Sequence, residues 1–245
     1  MIDVKKVVGV VSLALLLGSN SLLAEGSAAS VEQTQKNAST LLKNTYAYIS
    51  SLQKYAFDVS ITNTVILDND EIVIKRHSDV EVQRDGMFRV DTKGDNINRS
   101  VYLASGVFTL MDNDEKYYAT VKTGKGIDGT LDHISKKLGI VLPISTLIHS
   151  DMSKYIKPSR VQYFGTRVLS GVNCDYIAFR QKNTIVHLWV EDSSTPFIRA
   201  AKIVTEGVGS TDMILDWDNS PGFSNSTFMF KAPRGATNVS MRPVK

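Results

Sequence analysis

The sequence predicts a mainly β domain of about eleven or twelve antiparallel strands, bent into an open, strongly curved half-barrel with an N-terminal helix and a helical plug or lid. Three observations predict it. Apolar and polar residues alternate with period two through most of the chain, as a half-buried strand requires. Clusters such as Asp68-Asn69-Asp70, Asp85-Gly86 and Asp112-Asn113-Asp114 separate the runs and supply hairpin chemistry. The helical period returns only near residues 41–52 and 127–148. A sheet of that many strands twists and curls rather than staying flat, and a curled sheet has a hollow to fill.

Lys5 and Lys6 lead into an apolar run at 7–17 and a small, polar segment at 18–24, the layout of a secretory signal peptide. The run is too short to cross ~30 Å of hydrocarbon, so residues 1–24 are expected to be cleaved after Ala24, with Ala28 or Ala29 as alternatives. Residues 25–30 are expected to be a flexible lead-in and 31–245 a single domain. No cysteine ends the apolar run, which excludes an acylated N-terminal cysteine. The mature chain is expected in the periplasm, with no integral membrane segment after signal cleavage.

Leu41, Leu42, Thr45, Tyr48, Ile49 and Leu52 recur at helical spacing. At Tyr55 the period changes, and Tyr55, Phe57, Val59, Ile61 and Val65 share one face of a long strand whose partner runs back over 71–83. Strands follow at 87–93, 99–104, 107–111 and 116–122, giving an antiparallel meander. Ile127, Leu131, Ile134 and Leu138 then mark a helix, capped near Asp128 and stopped by Gly139. Ile144, Leu147 and Ile148 mark a short second helix after Pro143, whose fixed φ suits a first helical turn. The joining stretch 138–143 is apolar on every side, so the lid 128–150 is expected to pack into the sheet's hollow. Strands resume at 160–169, 173–181, 184–191, 197–205 and 211–218, with a last short one at 228–231. In the strand 184–191, Val186, Leu188 and Val190 share one face and Ile185, His187 and Trp189 the other, so both faces are expected to be covered.

The formal net charge of +3, with acids and bases interspersed, leaves no basic stripe for nucleic acid. Cys174 is the only cysteine, which excludes an intrachain disulfide; inside a strand it reads as a small buried hydrophobe, with a redox or intermolecular role as the alternative. Gly124-Lys125-Gly126-Ile127-Asp128-Gly129 spells G-x-G-x-x-G, but hairpin-linked strands precede it, not the parallel βαβ unit a dinucleotide needs. The Asp-Asn-Asp-Glu runs at 68–71 and 112–115 lack the glycine and distal glutamate of a calcium loop. His77, His133, His149 and His187 share no metal-ligand spacing, and His187 reads as a hydrogen-bonded core residue. No G-x-S-x-G elbow is present. No catalytic residue, metal or cofactor is therefore called for.

The string 171–180 (GVNCDYIAFR), His187-Leu-Trp-Val-Glu191, Asp216-Trp217 and 228–236 (FMFKAPRGA), together with 126–132 (GIDGTLD) and Leu142-Pro143, resemble a family of predicted periplasmic proteins known as a domain of unknown function. The family is similar in fold to the lipoprotein localisation factors LolA and LolB and to the lipid-binding half of the envelope-stress sensor RseB. The resemblance implies a LolA-like unclosed barrel with a helical lid and an apolar cavity for acyl chains. It brings no catalytic residues. The carriers hold their lid closed with an arginine, and no arginine of this sequence is matched to it.

These readings converge on a non-enzymatic periplasmic protein that holds a lipid or acylated ligand. Its cavity is expected to be lined by Phe57, Val59, Ile61, Leu131, Ile134, Leu138, Leu142, Trp189 and Trp217, with the lid residues filling the space when no ligand is bound. The alternative is a sensor or scaffold binding an envelope protein partner.

Overall fold

The computed structural model describes residues 24–68, 70–124, 126–142 and 144–243, with side chains from residue 37 onward. Residues 1–23, on which the signal-peptide expectation rests, lie outside that range, as does Pro143.

Helix α1 (Ala24–Ser51) opens the described chain, so residues 25–30, expected as a flexible lead-in, are helical. Its Ala38, Leu42, Thr45, Tyr46 and Ile49 are buried, a stripe at helical spacing. A meander follows: β1 (Lys54–Leu67), β2 (Asp70–Gln83), β3 (Met87–Gly94), β4 (Ile97–Ala104), β5 (Val107–Asp112) and β6 (Tyr117–Lys122). Then come α2 (Ile127–Leu138) and α3 (Ser145–Ile148), followed by a 3₁₀ turn at Met152–Lys154. The return half comprises β7 (Arg160–Leu169), β8 (Val172–Gln181), β9 (Thr184–Glu191), β10 (Ile198–Thr205) and β11 (Gly209–Asp218).

With a last short strand, β12 (Thr237–Asn238), all the described strands join one open sheet in the order β12-β6-β5-β4-β3-β2-β1-β11-β10-β9-β8-β7. Next to the centre of the sheet β1 pairs with β11, distant in sequence and antiparallel, with Phe57 opposite Trp217 and Val59 opposite Leu215. This pairing welds the two halves and leaves β12 and β7 as the edges.

Strand β12 (Thr237–Asn238) corrects one expectation. The last strand is not 228–231, because Asn225–Phe228 forms a 3₁₀ turn. Phe228 is instead a buried plug set edge-on against Phe223, and Phe230 packs on Tyr102 and Tyr118. Large aromatics drove that stretch into tertiary contacts rather than a ladder. The true last strand pairs with β6 in parallel, the one parallel pair among the described strands.

The core lies on the concave side. Tyr55, Phe57, Val59 and Ile61 from β1, Val80 and Val82 from β2, Ile177 and Phe179 from β8, and Met213 and Leu215 from β11 form one buried cluster. Leu131, Ile134, Leu147 and Ile148 from α2 and α3 belong to the same cluster, so the lid sits inside the curve.

Helix α2 ends as expected at Gly139, whose left-handed φ of 67° lets its N–H reach Ile134 O; a Cβ there is strained. Its start differs. Gly126 is the N-cap, and the Asp128 carboxylate accepts from Ser150 N at 2.8 Å and from Ser150 Oγ at 2.6 Å. Asp128 thus ties the first turn of α2 to the segment after α3 rather than capping its own helix.

Candidate functional site

The inner wall carries two cavities, one on each side of the lid. The first, about 330 Å³, lies between β8–β11 and α3 with the 3₁₀ turn. Phe179, Val186, Leu188, Ile203, Met213 and Leu215 give it an apolar floor, because alternation along each strand sends these residues inward. Leu147, Met152 and Ile156 roof it, and Gln181, Lys182, Asn183 and Thr184 from the β8–β9 hairpin form a polar rim. Tyr46 of α1 also lines it. The Tyr46 hydroxyl is buried with no hydrogen-bond partner among the described residues, and burial raises its pKa.

The second cavity, about 430 Å³, lies over β1–β5 beneath Ile140, Val141, Leu142 and Ile144. Ile61, Val90, Val101 and Leu110 line it with Leu142. Ile144 borders both cavities. A wider cleft of about 1010 Å³ separates α1 from residues 150–161; Leu42, Ile156 and Val161 line it beside several serines, Lys43 and Arg160, and it stands open to solvent. Hydrocarbon gains only where water is excluded, so the two inner cavities are the candidate site.

One residue fixes the lid over them. Arg84, just beyond β2, donates from Nη1 to Ile148 O at 2.6 Å, from Nε to Leu52 O at 3.2 Å and from Nη2 to Ile49 O at 3.3 Å. A single guanidinium therefore satisfies carbonyls at the C-terminal ends of α1 and α3, where a helix leaves acceptors unpaired and favours positive charge. Its carbon stands 5.1 Å from the Tyr55 ring centre, and the Tyr55 hydroxyl donates to Leu147 O at 2.9 Å. In the sequence, Arg84 sits in a Gln-Arg-Asp-Gly hairpin turn that looks solvated, and no local pattern marks it.

A polar cluster latches the far side of the lid. His149 is buried, stacks on Tyr155 at 3.8 Å and holds Nδ1 3.4 Å from the Asp128 carboxylate, too long for a short hydrogen bond. Burial lowers the His149 pKa, against the raising pull of Asp128. Burial works to raise the Asp128 carboxyl, but the two bonds from Ser150 and the nearby His149 leave it below the ordinary range. Ser150 donates directly to Asp128, with no imidazole between them, so the trio is not a nucleophile-and-base relay.

The residues expected to line the cavity separate into groups. Ile61 and Leu142 line the second cavity. Phe57 and Val59 are buried in the inner wall, and Trp217 packs on Phe57 at 4.7 Å and on Phe197 at 4.8 Å while donating to Ile198 O. Leu131 and Ile134 face a smaller hollow of about 250 Å³ between the lid segments, and Leu138 is half-buried against the core. Trp189 does not face inward. It pairs with Tyr176 on the convex side, the rings parallel with centroids 4.8 Å apart, and Phe164 extends the stack at 5.0 Å. His187 shares that side and meets the Tyr176 hydroxyl at 2.7 Å, so it is hydrogen-bonded but not in the core. The outer face of β9 is apolar because aromatics cover one another, not because a second layer covers the strand.

Cys174 is fully buried in β8, and burial raises its thiol pKa, as a small core residue requires. Asp58, His77 and Asp79 meet on the outer face with ligand-type atoms within 4.8 Å of one another. All three are exposed, and the imidazole nitrogens already lie 3.4 Å from Ser60 Oγ and 3.2 Å from Asp79.

Comparison with solved structures shows the fold. An uncharacterised conserved protein from Thermus thermophilus matches with a TM-score of 0.50 at 8% identity, over 83% of this chain and 99% of that one. A LolA superfamily protein from Nitrosomonas europaea matches with a TM-score of 0.40 at 9% identity, over 79% and 97%. LprF from Mycobacterium bovis matches with a TM-score of 0.44 at 13% identity, over 82% and 98%. No curated protein matches the chain significantly in sequence. Among the described residues no helix is long and apolar enough to cross a membrane. A family model matches residues 38–242, nearly the whole described chain, and the protein belongs to the predicted periplasmic proteins of family DUF2092.

Proposed function

We propose that this protein is exported through a cleaved signal peptide and acts without catalysis, holding a lipid or acylated ligand inside its open barrel. The observation that carries the reading is the apolar 330 Å³ cavity beneath α3 and the 3₁₀ turn. Its size falls within the range of small-molecule sites, roughly 300–1,000 Å³. Each methylene buried there contributes about 0.8 kcal/mol, so one acyl chain binds with little polar recognition. Arg84 fits this reading as the side chain that joins the end of α3 to the end of α1.

The test is native mass spectrometry of protein purified without detergent, together with titration of a fluorescent fatty acid. Copurified lipid or saturable probe binding is expected. Neither lipid nor probe bound would overturn the proposal.

One observation favours a second reading, docking to an envelope protein. The β1–β2 hairpin ends in exposed Val65, Ile66, Leu67, Ile72 and Val73, with Val208 of the next hairpin beside them. In-cell photocrosslinking from position 66 separates the two: one discrete protein adduct without any copurified lipid favours docking.

A further inference from the structure

The second inner cavity holds a feature that a plain hydrocarbon does not need. The register sets Ile61 of β1, Arg76 of β2, Gly94 of β3 and Ile97 of β4 side by side, and in the adjacent row Val59, Ser78, Thr92 and Arg99. Ile61, Val59 and Ser78 are buried on the concave side, so alternation points Arg76 and Arg99 inward, and both line the cavity. Arg76 is half-buried, and its Nε is hidden from solvent with no hydrogen-bond partner among the described residues. Arg99 is paired with the Asp112 carboxylate of β5, at 3.3 Å.

Gly94 clears the lane beside Arg76. A Cβ there would lie 2.9 Å from Arg76 Cγ and closer still to the Lys75 carbonyl oxygen, so any larger residue pushes the arginine away. A guanidinium partly removed from water without an anion is costly, and its planar fork matches a carboxylate or phosphate. Ser78 and Thr92, hydrogen-bonded to each other at 2.8 Å, line the same cavity with Asn96 and leave one hydroxyl proton for a ligand. Across Ile144 lies the apolar cavity, which suits a chain attached to that anion.

Resting on the lipid-binding reading, we infer that the ligand is an anionic amphiphile whose carboxylate or phosphate pairs with Arg76, assisted by Arg99, while its tail passes Ile144 into the apolar cavity. The site therefore selects acids over their neutral esters. Arg76 is the stronger determinant, because Asp112 already occupies Arg99.

The experiment titrates the mature chain with cis-parinaric acid and with its methyl ester, in wild type, Arg76→Gln and Arg99→Gln, with inorganic phosphate as a third probe. Wild type is expected to bind the acid about tenfold or more tightly than the ester, the size of a charge-assisted hydrogen bond. Arg76→Gln is expected to erase that preference while ester binding stays within about twofold, and Arg99→Gln to reduce it less. Arg76→Lys, which keeps the charge and loses the fork, retains part of the preference and serves if the glutamine variant folds poorly.

Equal binding of acid and ester by wild type, or equal loss of both in Arg76→Gln, overturns the inference and leaves the lipid-binding reading standing. Binding of neither probe by wild type removes that reading itself. Inorganic phosphate that binds alone and displaces neither probe shows a free-anion site and overturns the head-group assignment.

Discussion

The two faces of the sheet are both apolar on β9 but opposite in character on β1. On β9, Leu188 and Val190 face inward and are fully buried, while His187 and Trp189 face outward and stay partly exposed. On β1, Phe57, Val59 and Ile61 are sealed under the lid, whereas Asp58, Ser60 and Thr62 meet solvent or polar neighbours. The comparison teaches that hydrophobicity by itself does not locate the interior of an open barrel. What decides is which side has helices to cover it.

The largest expected effect tests that contrast directly. Phe57→Ala removes a ring packed at 4.7 Å on Trp217 and should cost about 3–5 kcal/mol in urea unfolding. Trp189→Ala, a larger truncation on the outer face, should cost only about 1 kcal/mol, the scale of a stacked aromatic pair. Equal losses would break the distinction between the faces.

Arg84→Ala comes next. It leaves the carbonyls of Ile49, Leu52 and Ile148 without their shared donor and should cost about 2 kcal/mol, with faster uptake of a fatty-acid probe in stopped flow. Unchanged uptake with lowered stability would mean that Arg84 holds the structure without gating it.

The third effect is a pH dependence seated under the lid. His149 faces Asp128, Asp132, Arg84 and the Tyr155 ring, and burial, the largest influence, leaves its folded-state pKa below the ordinary 6.5. The unfolded chain therefore takes up the proton first. Stability is whole above pH 6.5 and declines as the pH falls below it, so Tm should drop between pH 7 and pH 5 more in wild type than in His149→Gln. A parallel decline in both proteins would place the sensitivity elsewhere.

The smallest effect has the opposite sign. Asp58 lies directly across from Asp79 and from Asp216 on the outer face, and partial desolvation by these neighbours, followed by the contact with Asp79, raises the pKa of this otherwise exposed carboxyl. A raised carboxyl stabilises in acid and loses that benefit as pH rises through its folded-state value. Asp58→Asn should then gain about 0.3–1 kcal/mol at pH 7 by relieving the like-charge pair, and less in acid, where wild type already carries the proton. A loss at pH 7 would show that Asp58 has a favourable outer-face partner.

Much of the fold was legible because its signals are local. The hairpin turns and the alternation mark β1 to β11 within a few residues, and Ile127, Leu131 and Ile134 mark α2 with its glycine stop. Errors fell where local signal and tertiary contact compete. Residues 228–231 read as a strand because aromatics favour strands, yet Phe228 and Phe230 are drawn into packing. Asp128 reads as a helix cap, yet Ser150, twenty-two residues on, takes its carboxylate. Trp189 reads as a cavity wall because alternation gives two faces without saying which is covered.

By itself, the sequence determined that strands dominate, where they turn, that a helical segment interrupts them and that one cysteine precludes an internal disulfide, since each follows from neighbouring residues and elementary sterics. Tertiary structure decided the rest. The pairing of β1 with β11 joined the two halves and the helical segment decided which face is covered, and only then did Arg84 meet two helix ends and Arg76 enter a cavity. Those contacts join residues far apart in the chain, and no spacing along it encodes a distance across the barrel.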